Sequence, residues 1–176
     1  EMGGYTLVAK SKCIYMLVFG QETQTVMENR QEQFGKTNIR MVPVGNGMNH
    51  LFAINEALTT GQILSMTADR RFGSEKAVPC NFFGAEALFP MGPFATVIQR
   101  DVPTLVVLVV KTGTRSYHAV VKRLPMPEAH LPRKERIALL AQAYANELEN
   151  VVRQYPEQWF NFFNIWTTTT CQNPKQ

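Results

Sequence analysis

The sequence predicts an α/β fold in which helices flank a mostly parallel central sheet. Three observations carry this expectation. Strand-like and helix-like segments alternate along the 176 residues with short loops between them, the rhythm of parallel strands joined by crossover helices. The strand-like runs are continuously apolar rather than alternating, as in strands covered on both faces. Finally, Ile137, Leu140, Tyr144, Leu148, Val151 and Tyr155 recur at spacings of three and four, which gives residues 133–154 one apolar helical face.

Residues 1–10 read as the end of a helix and residues 13–19 (CIYMLVF) as a buried strand. Residues 21–34, polar and rich in Gln and Glu, read as a solvent-facing helix. A second strand spans 39–44, ending near Pro43. Gly45-Asn46-Gly47 punctuates the chain, and Asn49 is placed to cap a helix running to Leu58. Gly61 stops that helix, and residues 62–67 form a third strand. The charged loop Asp69-Arg70-Arg71-Phe72-Gly73 follows. Residues 77–83 make another short strand, and Gly92-Pro93 opens a helix to about Arg100, since proline is tolerated in a first turn. The most apolar strand, 104–110, is expected to be central, and the alternating residues 116–123 read as an edge strand. Aromatic side chains crowd residues 156–166. The expected organisation is one α/β domain over residues 1–166 and a flexible polar tail over 167–176.

Hydrophobic residues are 45% of the chain and charged residues 18%, a balance that supports a folded core rather than disorder. The net charge of +4 suits an anionic partner: a phospholipid surface, a phosphorylated substrate or a nucleic acid. Nucleic acid is disfavoured because the basic residues are scattered, not gathered in a stripe with interleaved aromatics. Cys13, Cys80 and Cys171 lie far apart, with no CxxC and no nearby histidine, so neither a zinc site nor a disulfide framework is indicated. No apolar stretch reaches the roughly 18 residues of a membrane span. A nucleotide-binding glycine loop is missing, as is a GxSxG nucleophile elbow. His50, His118 and His130 occupy positions that read as structural or surface.

Three segments have a chemistry to consider. Asp69-Arg70-Arg71 follows a predicted parallel strand, at the sheet edge where ligands bind in open α/β folds. Its two guanidiniums can clamp a phosphate or carboxylate with Asp69 orienting one of them; the same three residues also suit a solvated turn with a local ion pair. Gly92-Pro93 puts small, rigid residues at a helix start, where free N–H groups can meet an anion or oxyanion, although such a pair also marks an ordinary turn. Residues 159–166 (WFNFFNIW) suit either the core or an acyl chain or membrane interface.

In their order, several motifs resemble the lipid A late acyltransferases and their lysophospholipid-acyltransferase relatives. They are Glu1-Met2-Gly3-Gly4, Leu58-Thr59-Thr60-Gly61, Asp69-Arg70-Arg71-Phe72-Gly73, Phe82-Phe83-Gly84-Ala85-Glu86-Ala87, Phe89-Pro90-Met91-Gly92-Pro93 and Pro156-Glu157-Gln158-Trp159-Phe160. The resemblance covers nearly the whole length. Asn161-Phe162-Phe163-Asn164-Ile165-Trp166 departs from the basic ending of lipid A enzymes proper and is closer to relatives joined to glycosyltransferases.

The resemblance implies a glycerolipid-acyltransferase-like fold lacking its N-terminal part. Glu1 matches the acidic member of an HxxxxD/E motif, so the histidine is expected five positions upstream of Glu1, and the piece starting at Glu1 is expected to be inactive alone. That histidine would act as general base on an acceptor hydroxyl, with Glu1 holding its imidazole. Arg70, Arg71 and the Gly92 helix start become candidates for phosphate or oxyanion contacts, with Asp69 as orienter. No cofactor is implied: the donor is an acyl thioester of acyl carrier protein or coenzyme A, and the acceptor is a lipid or glycolipid. The expected location is peripheral, on the cytoplasmic face of the bacterial inner membrane, with the fragment itself soluble and prone to self-association. The alternative is a non-catalytic anion- or lipid-binding α/β module that uses Arg70 and Arg71.

Overall fold

The runs 14–19 and 39–44 are rich in bulky apolar residues, with Arg40 as the one charged side chain, and both form strands. The computed structural model describes residues 12–19, 37–45, 48–71 and 76–167. The expected helices at 1–10 and 21–34 and the tail beyond Thr167 lie outside the described residues. The chain divides into two compact units, residues 1–68 and 69–176, and is α/β in both.

In the first unit β1 (Ile14–Phe19) lies between β2 (Ile39–Val44) and β3 (Ile63–Ser65), and both pairings are parallel. Helix α1 (Asn49–Thr59) makes the crossover from β2 to β3. Both sheet faces are apolar. Tyr15, Val42 and Ala57 pack with Leu17, Ala53 and Leu64 on the helix side, while Ile14 and Ile39 pack with Met16, Met41 and Ile63 on the other. Pro43, which has no N–H to donate, sits on a strand that has a described partner on one side only, where proline is tolerated.

Asn49 is not the cap that the sequence suggested. Met48 is the N-cap residue, with no side-chain hydrogen bond and near-helical dihedrals, and Asn49 is already helical. The first turn closes one residue early because the Leu51 N–H donates to the Met48 carbonyl at 2.9 Å. The other end is as expected. Gly61 has φ +67°, the Gln62 N–H reaches back to the Ala57 carbonyl (2.8 Å) and the Gly61 N–H to that of Leu58 (3.3 Å), which together make a Schellman termination.

The described residues of the second unit form two antiparallel hairpins, two α-helices and a 3-10 turn at Pro156–Gln158. Strands β4 (Ala77–Phe82) and β5 (Ala85–Pro90) pair directly, α2 (Met91–Arg100) follows, then β6 (Leu105–Lys111) and β7 (Tyr117–Arg123), and last α3 (Arg133–Gln154). Parallel pairing is therefore seen in the first unit, while the described pairings of the second are antiparallel. Residues 104–110 were expected to be central, but β6 has β7 as its one partner among the described strands.

Strand β5 was not anticipated, because its turn is Phe83-Gly84 rather than the Asn-Gly or Asp-Gly that signals a two-residue hairpin. Both turn residues have positive φ, +56° at Phe83 and +81° at Gly84, as a type I′ turn requires. Such a φ is strained for a phenylalanine. Helix α3 offsets it: the Phe83 N–H donates to Glu149 Oε2 at 2.6 Å, and the Arg153 guanidinium lies 4.8 Å from the Phe83 ring centre. Helix α3 also treats β4 as a strand would, its Gln142 carboxamide accepting from the Asn81 N–H (2.8 Å) and donating to the Asn81 carbonyl (2.9 Å). Beneath these contacts Phe82, Phe89 and Leu140 are fully buried. Cys80 is in the same core, where burial pushes its thiol up to about 11.

The Phe83 N–H, then Arg153, hold the Glu149 carboxyl below the usual carboxylate range. Its contribution to stability is therefore present above the ordinary glutamate pKa of 4.5 and is lost as pH falls through and below that value. Glu149→Ala is expected to lower unfolding free energy by about 1–2 kcal/mol at neutral pH, the range for hydrogen bonds to a charged group discounted for partial solvation. Urea titrations should show the gap to the unsubstituted protein closing in acid. A gap that stays constant down to pH 3 would assign the loss to packing instead.

Candidate functional site

The charged segment after β3 is held where the α3 helix passes. Arg70 is partly exposed, and its guanidinium is shared between two oxygens: Nε lies 3.7 Å from Asp69 Oδ2, and Nη2 donates to the Phe160 carbonyl at 3.3 Å. Asp69 is the more buried of the two, with its side chain 20% exposed. Arg71 is exposed. Of the two readings open from sequence, the local ion pair is present, and a ninety-residue-distant carbonyl holds the same arginine in place.

Tyr144 joins this segment to the start of α2. Its ring packs against Phe89, at 6.0 Å between centroids, and against Phe94 in the first turn of α2, at 5.7 Å. Burial raises the pKa of its phenol well above the usual tyrosine range; the Asp69 carboxylate raises it further, and Arg70 opposes both. Asp69, Arg70 and the Tyr144 hydroxyl therefore share one electrostatic neighbourhood, and the phenol stays protonated there, able to donate or accept.

Helix α2 starts at Met91, with Pro90 as N-cap and no side-chain cap. The Met91 N–H donates to the Lys76 carbonyl at 3.1 Å. Gly92 is exposed, and a Cβ built there would meet nothing within 4 Å. Its small size is thus not a packing requirement in this unit, and the helix start is open to approach. The Met91 N–H is already taken and Pro93 has none, so the first-turn amide that an anion could address is that of Gly92.

Glu1 lies outside the described residues. His130 pairs through Nδ1 with Glu128 at 3.1 Å on an exposed loop, and His118 is exposed on β7. His50 lines a groove beside α1, where Arg40 donates to the Tyr15 hydroxyl (2.9 Å) and lies 3.4 Å from Glu56, so the groove's charges are matched internally. Among the described residues no group of three or more His, Cys, Asp or Glu side chains is placed to hold a metal. No helix of the described residues is long and apolar enough to cross a membrane.

A family model described as bacterial lipid A biosynthesis acyltransferase matches residues 1–168. The chain belongs to the bacterial lipid A biosynthesis acyltransferase family. Compared with curated proteins, it finds no match. Membership in this acyltransferase family agrees with the resemblance carried by the ordered motifs, and the match runs from the segment containing Glu1 through the aromatic ending.

Sequence reasoning did not find Tyr144 as a member of the site. It was read as one position of the apolar face of α3, and the remaining signal was its polar tip on a face otherwise set by Ile137, Leu140 and Leu148. A phenol on an apolar stripe needs a partner for its hydroxyl, and the Asp69–Arg70 segment provides the polar surroundings.

Because the folded pKa of Tyr144 is raised above its ordinary value of 10.0, its contribution to stability is complete below about pH 10 and is lost as pH rises beyond it. Tyr144→Phe should match the unsubstituted protein in thermal midpoint at pH 8 and lose less stability between pH 10 and 11.5. Parallel decline of the two proteins over that alkaline range would show that Tyr144 ionises as an ordinary surface tyrosine.

Proposed function

We propose that this acyltransferase-family chain takes part in transfer of a fatty acyl group from a thioester donor to a hydroxyl of a lipid or glycolipid acceptor at a membrane surface. The observation that carries the reading is the family match over residues 1–168. Residues 1–166 are read as one catalytic domain of the glycerolipid-acyltransferase kind, working peripherally at the cytoplasmic face of the bacterial inner membrane.

In this reading a histidine five positions before Glu1 takes the proton of the acceptor hydroxyl, and Glu1 steadies the resulting imidazolium. The hydroxyl oxygen attacks the thioester carbonyl, the C–O bond forms, the C–S bond breaks, and the proton passes to the leaving thiolate. The carbonyl oxygen gains negative charge on the way and needs fixed donors. The Gly92 amide at the start of α2 suits that task, or suits a substrate phosphate. Arg70 and Arg71 suit an anionic headgroup, with Asp69 fixing the direction of the Arg70 guanidinium. Tyr144, kept protonated beside them, adds a neutral hydrogen-bonding group where a second negative charge would repel the substrate.

The test is acyl transfer measured with a radiolabelled thioester and a phosphorylated lipid acceptor. Activity is expected of a protein in which a histidine lies five positions before Glu1. In the histidine-bearing protein, Arg70→Ala should reduce kcat/KM roughly 10- to 100-fold, mainly through KM, as loss of a charged contact made equally in ground and transition states does. An unchanged kcat/KM would remove Arg70 from the substrate contacts. Failure of the histidine-bearing protein to transfer acyl groups, with binding to anionic lipid retained, would favour the non-catalytic module.

A further inference from the structure

Arg70 is held by a backbone carbonyl, and that carbonyl must itself be held. The guanidinium reaches the Phe160 oxygen through Nη2 at 3.3 Å and Asp69 through Nε at 3.7 Å. Both contacts are long, so neither alone fixes the guanidinium plane. Together they give a rigid, planar fork two points and hence a direction. The Phe160 ring is 64% exposed, so burial of its own side chain does not place its carbonyl.

Asn161 does. Its N–H donates to the Trp159 carbonyl at 2.8 Å. This bond closes an inverse γ-turn centred on Phe160, whose φ is negative. The peptide between Phe160 and Asn161 is trans, and the N–H and C=O of a trans peptide point in opposite directions. Fixing the N–H on Trp159 therefore turns the Phe160 carbonyl the other way, where Arg70 meets it. The side chain of Asn161 secures the same peptide from its far side. Its Oδ1 accepts the Phe163 N–H at 3.2 Å, an Asx-turn.

The turn has a fixed point on each side. Trp159 packs on Phe82, with ring centres 5.3 Å apart. Ile165 is buried, and its carbonyl accepts from the Leu88 N–H at 2.8 Å. Between these points Asn161 is bonded through both its backbone and its side chain, while Asn164 acts further on, at the Trp166 N–H.

We propose that Asn161 is a positioning residue: its paired turns present the Phe160 carbonyl to Arg70 and so aim the guanidinium at an anionic headgroup. The headgroup part rests on the acyltransferase reading; the placement of Arg70 does not.

The test starts with the 176-residue chain and phenylglyoxal, which modifies guanidiniums, read at each arginine by mass spectrometry. Asn161→Ala should speed modification of Arg70 roughly three- to tenfold, as loss of one hydrogen bond from its hold does. Arg153, which is held by Glu149 rather than by the loop, should keep its rate. Asn161→Asp retains the acceptor oxygen and should keep Arg70 slow. An unchanged Arg70 rate in Asn161→Ala overturns the proposal, and so does an equal rise at Arg153, the mark of general loosening. In a protein with a histidine five positions before Glu1, Asn161→Ala should raise KM for a phosphorylated lipid acceptor several-fold and leave kcat within about twofold. It should add nothing in an Arg70→Ala background, since it acts through that arginine. Additive losses would make Asn161 a structural residue and overturn the proposal. If the Arg70 rates respond as expected while even the unsubstituted protein transfers no acyl group, the acyltransferase reading falls and the placement of Arg70 by Asn161 stands.

Discussion

The second unit depends on how closely α3 can approach the β4–β5 hairpin. Leu140, Ala141 and Ala145 face it with at most 1% of their surfaces exposed. The two alanines allow the helix to lie near the strands, while Leu140, Phe82 and Phe89 fill the space between them. Interiors pack at crystal-like density, so this short approach fixes the heights of the neighbouring side chains. It lets Gln142 reach the free peptide edge of Asn81 and lets Glu149 reach the amide of Phe83. It also carries Tyr144 into place between Phe89 and Phe94. A larger residue at either alanine would lift the helix and loosen the hairpin turn and the site together.

A second device recurs in this unit: a glutamine carboxamide stands in for a peptide group at a strand edge. Gln142 does so for Asn81 and Gln158 for Lys111, each accepting from the N–H and donating to the carbonyl of one residue. Two-residue hairpin sheets leave long edges that would otherwise recruit other chains. Here the edges are occupied locally by side chains, and on β5 by the Ala87–Trp166 bridge.

What the sequence disclosed follows the range of the forces involved. Helix α3 was legible from 133 to 154 because its apolar period and its proline and aromatic boundaries are local signals. β1 and β2 were legible because unbroken apolar runs of strand length have few other uses. The hairpin at Phe83-Gly84 was hidden, since its turn depends on Glu149 and Arg153, 66 and 70 residues away in the chain, to hold a phenylalanine at positive φ. Residues 104–110 looked central because composition reports burial and not the number of strand partners. The Asp69-Arg70-Arg71 segment was visible as charge, but its neighbour Tyr144 was not, for a helix stripe shows which residues face inward and not what they meet.

Arg70 ties the site to the loop that follows α3. One guanidinium contacts both the Asp69 carboxylate and the Phe160 carbonyl, so its position cannot change at one without weakening the other. An anion drawn to Arg70 would compete with Asp69 for the same donors, leaving the contact to the neutral carbonyl as the weaker and more easily exchanged of the two. Conversely, any load on the loop tip at Phe160 acts directly on the arginine nearest the charged site. One side chain and its two hydrogen-bonding partners thus link the loop to the charged segment. The buried Trp159 Nε1, which has no partner among the described residues, fits the same picture: the loop is set by the packing of its rings and by Arg70, and not by a complete set of hydrogen bonds.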